Sequence, residues 1–323
     1  MNLPLPKLVV LLGPTASGKT GWGINLAKKF DADIISADSR QVFQRMDIGT
    51  AKPPGEWRWD GFGRSFFVQG IRHRLVDFLN PGKTFSAAEF RDQALKFTKI
   101  AQKDGRLPLV VGGTGLYIST LVDNFIIPKV AANPKLRKSL DEKTLPELVA
   151  LLEIMDPKTV AVIDRQNRRR LVRALEVCIM SGEVFSEQKK MGSPLFDVLE
   201  IGIEVDHETL RSRINDRVDQ MIKSGLVQEI EGLLKQKYAW GLVSMNGIGY
   251  RQFQPYFKGE ESLEQAVQKL KLDSWQYARR QLTWFRRDKR IVWVKTIDEA
   301  IKLVEDFLKK SNTTNISNSE MSN

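Results

Sequence analysis

From Val9 to Phe30 the chain reads VVLLGPTASGKTGWGINLAKKF. Gly13 to Thr20 spell G-x-x-x-x-G-K-T, directly after an apolar run and at the start of a helical pattern. That context commits this part of the chain to a strand, a glycine loop and a helix on an α/β sheet. Leu8 to Leu12 is apolar without alternation, as a strand covered on both faces of a parallel sheet is. Gly13, Pro14, Thr15, Ala16, Ser17 and Gly18 form the loop whose backbone closes around phosphate oxygens. The helix N-terminus adds positive potential, Lys19 adds a point charge, and Thr20 offers a hydroxyl to Mg²⁺. The motif specifies a diphosphate and a cation, and leaves the rest of the ligand open.

Further along, Ala32 to Asp38 (ADIISAD) is a short apolar run ending in an acid, and Leu107 to Gly113 (LPLVVGG) is a strand meeting glycines. Ser86 to Lys103 has helical spacing. Strands alternating with helices predict a doubly wound, mostly parallel P-loop α/β core. From Ile127 the character changes: Pro128, Pro134, Pro146 and Pro157 punctuate short helical segments with no clear strand signal. The expected organisation is therefore a core from 1 to 126 and a helical insertion from 127 to 196. The core resumes from 197 to 310, and a polar, disordered tail covers 311 to 323. In the returning core, Val198 to Asp206 and Arg290 to Thr296 are expected as strands. His207 to Gln236 and Ser262 to Asp288 are expected as long helices.

The 323 residues carry a formal charge of +11, which favours a polyanionic partner over a neutral one. Cys178 is the single cysteine, and His73 and His207 are the only histidines. No disulfide within the chain and no zinc finger can be built from that set, and a reducing, cytoplasmic setting fits it. The apolar start runs into the glycine loop, so it reads as a buried strand rather than a signal peptide. No apolar run reaches the ~18 residues of a membrane span.

Residues at the carboxyl ends of strands line the ligand crevice of a doubly wound sheet. Asp38 and the glycine loop should share that crevice, with Ser39, Arg40 and Gln41 beside them. A carboxylate there can hold magnesium, as in a kinase, or accept a proton from an incoming nucleophile.

GPTASGKT, ISADSRQVFQRMDIGTAKP, HRLVDF, VVGGTGLYI, RQNRRRLVRALEV and GIGYRQF occur in this order. Together they resemble the tRNA dimethylallyltransferase (tRNA isopentenyltransferase) family, from Lys7 to about Arg287. The resemblance implies that the loop grips the diphosphate of dimethylallyl diphosphate, with Mg²⁺, and does not hydrolyse ATP. The prenyl group then moves to the exocyclic amine of the adenosine immediately 3′ of the anticodon. By the same resemblance Asp38 is the general base, Thr114 positions the reacting groups, and Arg217 lies near the diphosphate. Asp38, Ser39, Arg40, Gln41, Thr114, Arg137, Gln166, Asn167, Arg168, Arg169 and Arg170 match tRNA-contacting positions. So do Gly247, Ile248, Gly249, Tyr250 and Arg251. Asn246 departs from a basic residue found in some members. The family also implies a monomer that binds the anticodon stem-loop and no membrane.

The basic stretch Asp164 to Gly182 has helical spacing, with Asp164 as its expected cap and Leu171, Leu175 and Cys178 on its apolar face. In ARRQLTWFRRDKR, Ala278 to Arg290, Trp284 and Phe285 are expected in the core and the arginines outside. His73 suits a structural role. Three other readings remain on the residues alone: a nucleoside or small-molecule kinase, a prenyltransferase acting on free adenine nucleotides, and an RNA-binding module with a structural loop.

Overall fold

The computed structural model describes residues 4–61, 63–126, 130, 133–188 and 190–310. Its strands are β1 (Lys7–Leu12), β2 (Ala32–Ala37), β3 (Glu56–Trp59), β4 (Arg64–Val68), β5 (Ile71–Arg74), β6 (Leu107–Gly112), β7 (Phe125–Ile126), β8 (Lys190–Met191), β9 (Asp197–Ile203) and β10 (Val292–Val294). Eight of them form one sheet in the order β10-β9-β1-β6-β2-β5-β4-β3. Pairing is parallel from β10 to β5, and antiparallel through β5, β4 and β3. The strand that carries the glycine loop therefore lies inside the sheet, flanked by β9 and β6. Its residues Leu8 to Leu12 are all 0% exposed, which explains their unbroken apolar run.

The chain forms two compact units, one of Met1–Ile118 with Leu195–Asn323 and the other of Ser119–Pro194. In the first unit the sheet buries Val9, Leu11, Ile34, Leu109 and Ile201 against flanking helices. A second apolar cluster joins Val42, Phe43 and Met46 to Leu226, Ile230, Tyr250 and Phe253. A third seats Ala16 of the glycine loop on Leu210, Ile214, Ala278 and Leu282. This small cluster fastens the loop to two helices distant in sequence, His207–Lys223 and Leu263–Phe285.

The helix expected over 207–236 is two helices, His207–Lys223 and Leu226–Lys235, with Gly225 between them at φ 96. Glycine adopts that left-handed conformation without a Cβ penalty and so ends the first helix. The helices Ala87–Lys103 and Leu263–Phe285 start where Ser86 and Ser262 close capping boxes with Glu89 and Gln265. The hairpin β3–β4 was not anticipated. Its first strand, EWRW, alternates charged and aromatic residues over only four positions, with Trp59 exposed, a run too short to mark a strand by its period. Phe285 is 2% exposed as expected, but Trp284 is 40% exposed and packs its indole over Gly115.

The Ser119–Pro194 unit is helical, with β7 and β8 as a two-residue antiparallel pair. It begins a few residues before the change in proline usage at Ile127; residue 127 itself and the tail from 311 lie outside the described residues. Its basic helix, Arg168–Ser181, is capped by Asn167 and not by Asp164. Asn167 accepts from the Arg170 amide, whereas Asp164 accepts from the Gln166 amide in the turn ahead of it. Leu171, Leu175 and Cys178 are buried with Leu148 and Leu152.

The Glu176 side chain of this helix is fully buried. Burial alone would raise its carboxyl, but the Arg137 fork, the Asn133 amide and Arg173 outweigh burial and hold it down to about 2. Its contribution to stability is therefore complete above the ordinary 4.5 and lost as pH falls toward 2. Glu176→Gln should destabilise the protein by about 1–3 kcal/mol at neutral pH in urea unfolding. The gap between variant and wild type should shrink when the titration is repeated near pH 3.

Candidate active site

The loop leaves β1 at Gly13 and ends where the helix Lys19–Phe30 begins. Gly18 takes the cap position at φ 92, with no side chain over the helix end. The first amides of that helix lack carbonyl partners one turn back, so they form an open set of donors in a positive potential. No acidic residue sits in its first turn to compete with an anion. Lys19 folds back over the loop, its Nζ donating to the Pro14 carbonyl at 2.6 Å. Ser17 is 3% exposed, and its Oγ has no hydrogen-bond partner among the described residues. A buried hydroxyl without a partner marks a place where a ligand oxygen is wanted.

Arg217, on the helix His207–Lys223, reaches the loop from the side and donates to Thr15 Oγ1 at 3.4 Å. Gln281, on the helix Leu263–Phe285, accepts from the Thr15 amide at 2.8 Å and donates to the Gly113 carbonyl at 2.7 Å. It ties the loop after β1 to the loop after β6.

Asp38 follows β2 at the same end of the sheet. Its Oδ1 accepts from the amides of Arg40 at 2.8 Å and Gln41 at 3.4 Å, a turn that fixes the carboxylate. Thr114 follows β6. Its amide donates to the Ala37 carbonyl at 3.1 Å, and its Oγ1 accepts from the Ser39 amide at 3.1 Å. Tyr277 lines the same cavity as Asp38, and burial pushes its phenol up to about 12. The loop, Asp38, Arg40, Arg217, Tyr277 and Gln281 line one cavity of about 410 Å³.

Burial pushes the Lys19 ammonium down to about 7; Asp38 opposes that shift and Arg217 adds to it. Burial also lowers Arg217. Two cations held away from water in one cavity make a site that gains from an anion. Thr20 and Asp38 supply oxygen donors to the same cavity. Among the described residues, no three His, Cys, Asp or Glu side chains gather to hold a metal ion by themselves.

A further wall comes from two loops clasped together. Glu229 accepts from the amides of Asp47, Ile48 and Gly49 at 2.8, 2.7 and 3.0 Å, and from the Tyr250 hydroxyl at 2.7 Å. The approach is close enough to demand two glycines. A Cβ at Gly249 (φ +102) would lie 2.3 Å from the Gly49 carbonyl oxygen, and one at Gly49 would lie 2.5 Å from the Tyr250 ring. Thr50, Ile248 and Gly249 from these loops reach the cavity.

The residues singled out by sequence thus fall into groups. Thr15, Ala16, Gly18, Lys19, Thr20, Asp38, Arg40, Gln41 and Arg217 share the cavity, which Gly13, Pro14 and Ser17 do not line, and Ser39 is bonded to Thr114 beside it. Within Gly247–Arg251, Tyr250 is 1% exposed and its side chain belongs to the core, while Arg251 pairs with Asp273 at 2.9 Å. In the helical unit Arg137 forks on Glu176, and Arg168 donates to the carbonyls of Asp141 and Lys143. Gln166, Arg169 and Arg170 are exposed there. Asn246 is exposed; His73 is buried on the Ile71 carbonyl at 3.0 Å, as a structural histidine is. Gln281, Tyr277 and Glu229 were not anticipated. Their sequence neighbourhoods read as ordinary amphipathic helices, and only tertiary packing brings Tyr277 and Gln281 to the cavity and Glu229 to the loops beside it.

The profile of the IPP transferase family matches residues 41–288, and that of the isopentenyl transferase family matches residues 6–71. A tRNA dimethylallyltransferase of Acetivibrio thermocellus is 40% identical over 297 residues, 90% of this chain and 92% of the relative. A tRNA isopentenylpyrophosphate transferase structure from Staphylococcus epidermidis aligns with a TM-score of 0.67 at 37% identity, covering 95% of this chain and 99% of the other. A eukaryotic dimethylallyltransferase, described as acting on tRNA, aligns with a TM-score of 0.75 at 25% identity, covering 97% and 80%.

The clasp is open to a direct test. Glu229→Gln keeps the side chain's size but turns one acceptor into a donor facing amides. It should cost about 1–3 kcal/mol in urea unfolding and lower kcat/KM by about tenfold, measured at a temperature where the variant is folded.

Proposed function

The chain belongs to the IPP transferase family, and from that premise we propose that Gly13 to Thr20 hold the diphosphate of dimethylallyl diphosphate while Asp38 serves the acceptor amine. The reaction is the transfer of a dimethylallyl group to tRNA. The acceptor is the exocyclic amine of the adenosine immediately 3′ of the anticodon. The bond between the prenyl carbon and the diphosphate oxygen breaks, a carbon–nitrogen bond forms, the amine's proton passes to Asp38, and diphosphate leaves.

The observation that carries this reading is the pairing, in one cavity, of a phosphate loop with a carboxylate held by amides. Lys19, Arg217, the Ser17 hydroxyl and the helix-end amides neutralise charge as it develops on the leaving diphosphate. An adenine amine is a weak nucleophile, so a fixed carboxylate within reach assists as the new bond forms. Thr114, bonded to the Ser39 amide beside Asp38, keeps that strand end in register with the β6 loop. The target base leaves its stack to reach the cavity, and Ser39, Arg40, Gln41, Ile248 and Gly249 are its expected surroundings.

The donors suit a hard cation. Mg²⁺ takes oxygen ligands and retains water, needing few protein groups when phosphate oxygens are present. Thr20 is the residue that would hold the ion, which when bound supplies positive charge to the leaving group. On the RNA side, exposed Arg169 and Arg170 with Gln166 support binding to phosphates. Arg137 and Arg168 have structural partners as well, so their removal would also loosen the helical unit. The protein acts in this reading as a monomer in the cytoplasm; among the described residues no helix is long and apolar enough to cross a membrane.

Asp38→Asn should leave tRNA affinity within about twofold and lower single-turnover transfer by about 10²–10⁴-fold. Transfer at the wild-type rate would remove Asp38 from the base role. Replacing Arg169 and Arg170 together by alanine should weaken tRNA binding and flatten its dependence on log salt by about 0.7–0.9 for each phosphate no longer neutralised. An unchanged slope in filter binding would show that this segment does not touch the RNA.

A further inference from the structure

We infer that Gln281 sets the number of phosphates the loop accepts and limits it to two, an inference that rests on reading the cavity as a diphosphate site. Gln281 is 7% exposed and both ends of its amide are engaged. Its Oε1 accepts the Thr15 N–H at 2.8 Å, and its Nε2 donates to the Gly113 carbonyl at 2.7 Å. Partners of opposite polarity fix which end faces the loop. Packing is tight as well, since a Cβ at Gly113 would lie 2.3 Å from Gln281 Nε2.

In a loop of this kind the backbone amides are the anion donors. An amide that already donates to a side-chain carbonyl is withdrawn from that set. Thr15 lies on the limb that leaves β1, next to Pro14, whose carbonyl receives the Lys19 ammonium at 2.6 Å. The Thr15 hydroxyl is also engaged, by Arg217. The donors left for a ligand in the cavity include the amides at the helix start, Lys19 and Arg217.

A phosphate chain that begins at the helix end and continues past the Lys19 ammonium arrives at this limb. There a third phosphoryl group would meet no amide from Thr15 and would face Gln281 Oε1, an acceptor. Two acceptors without a proton between them repel, and a charged oxygen left unpaired in a buried place is costly. Thr15, Gly113 and Gln281 all line the cavity, so the obstruction is inside the site. A loop whose sequence suits a nucleoside triphosphate is thereby made selective for a diphosphate ester.

The test is displacement of labelled dimethylallyl diphosphate from the full-length protein by inorganic pyrophosphate and by tripolyphosphate, at equal Mg²⁺ and ionic strength. Wild type should release its label to pyrophosphate at concentrations at least about tenfold below those of tripolyphosphate. Gln281→Met keeps the volume without donor or acceptor, and should bring the two within about threefold by improving tripolyphosphate. Gln281→Glu gives up the bond to the Gly113 carbonyl but keeps an acceptor on the Thr15 amide and adds charge, so it should preserve or widen the wild-type ratio. If Gln281→Met does not fold, Gln281→Glu decides alone, and a narrowed ratio there overturns the inference. Equal displacement by both anions in wild type, or a parallel weakening of both in Gln281→Met, reduces Gln281 to a packing residue and leaves the diphosphate reading intact. A wild type that holds no labelled donor overturns the site reading and this inference together.

Discussion

An anion in a partly closed site must find enough donors to replace the water it sheds, and in this chain one open helix end offers them. The helix starts immediately after β1, and β1 lies inside the sheet with all of Leu8 to Leu12 out of solvent. Position and orientation of the amides at Lys19 and Thr20 are therefore set by the most buried part of the fold. The rest of the site is arranged around that anchor. Ala16 packs on the helices His207–Lys223 and Leu263–Phe285, and the same two helices carry Arg217 and Gln281 to the loop. The apolar packing and the polar bonds are parts of one arrangement: burying Ala16 is what brings an arginine and a glutamine within reach of Thr15.

Opposite the loop, the carboxylate is held by different means. Asp38 is fixed through two local amides, Thr114 joins the ends of β2 and β6, and Glu229 draws the Asp47–Gly49 turn against Tyr250. Charge explains why both halves coexist. Burial lowers Lys19, and the Asp38 carboxylate across the cavity partly restores it. A ligand with a diphosphate at one end and a proton-donating amine beside the other end satisfies both.

Much of this arrangement was legible because its parts are local in sequence. The glycine loop, its lysine and its threonine are contiguous, and Asp38 follows from the rule that strand ends line the crevice. What escaped depends on tertiary context. EWRW alternates over only four residues, too short a run for its period to mark β3. Gly225 looked like one residue in a helical stretch, yet its left-handed backbone ends a helix there. Asn167 rather than Asp164 caps the basic helix, a choice between two good capping residues that only the backbone path settles. Trp284 was expected inside and is half-exposed, because the space over Gly115 covers one face of its ring and no more. Gln281 and Glu229 sit in amphipathic helices where a polar residue is ordinarily solvated, and the backbone groups they bind are more than a hundred residues away. Among the arginines, pattern alone could not separate Arg168, which holds carbonyl groups, from exposed Arg169 and Arg170.

The most direct test asks what the loop holds. The purified protein is incubated with Mg²⁺, labelled dimethylallyl diphosphate and unmodified tRNA, without ATP, and label in the tRNA is counted. A parallel reaction with ATP and no prenyl donor is assayed for phosphate release. Label in tRNA that disappears in Lys19→Ala, with no phosphate released from ATP, is the expected result. Phosphate release from ATP with no label in tRNA would contradict it, because the loop would then be a nucleotide site and Asp38 a metal ligand of a kinase-like centre.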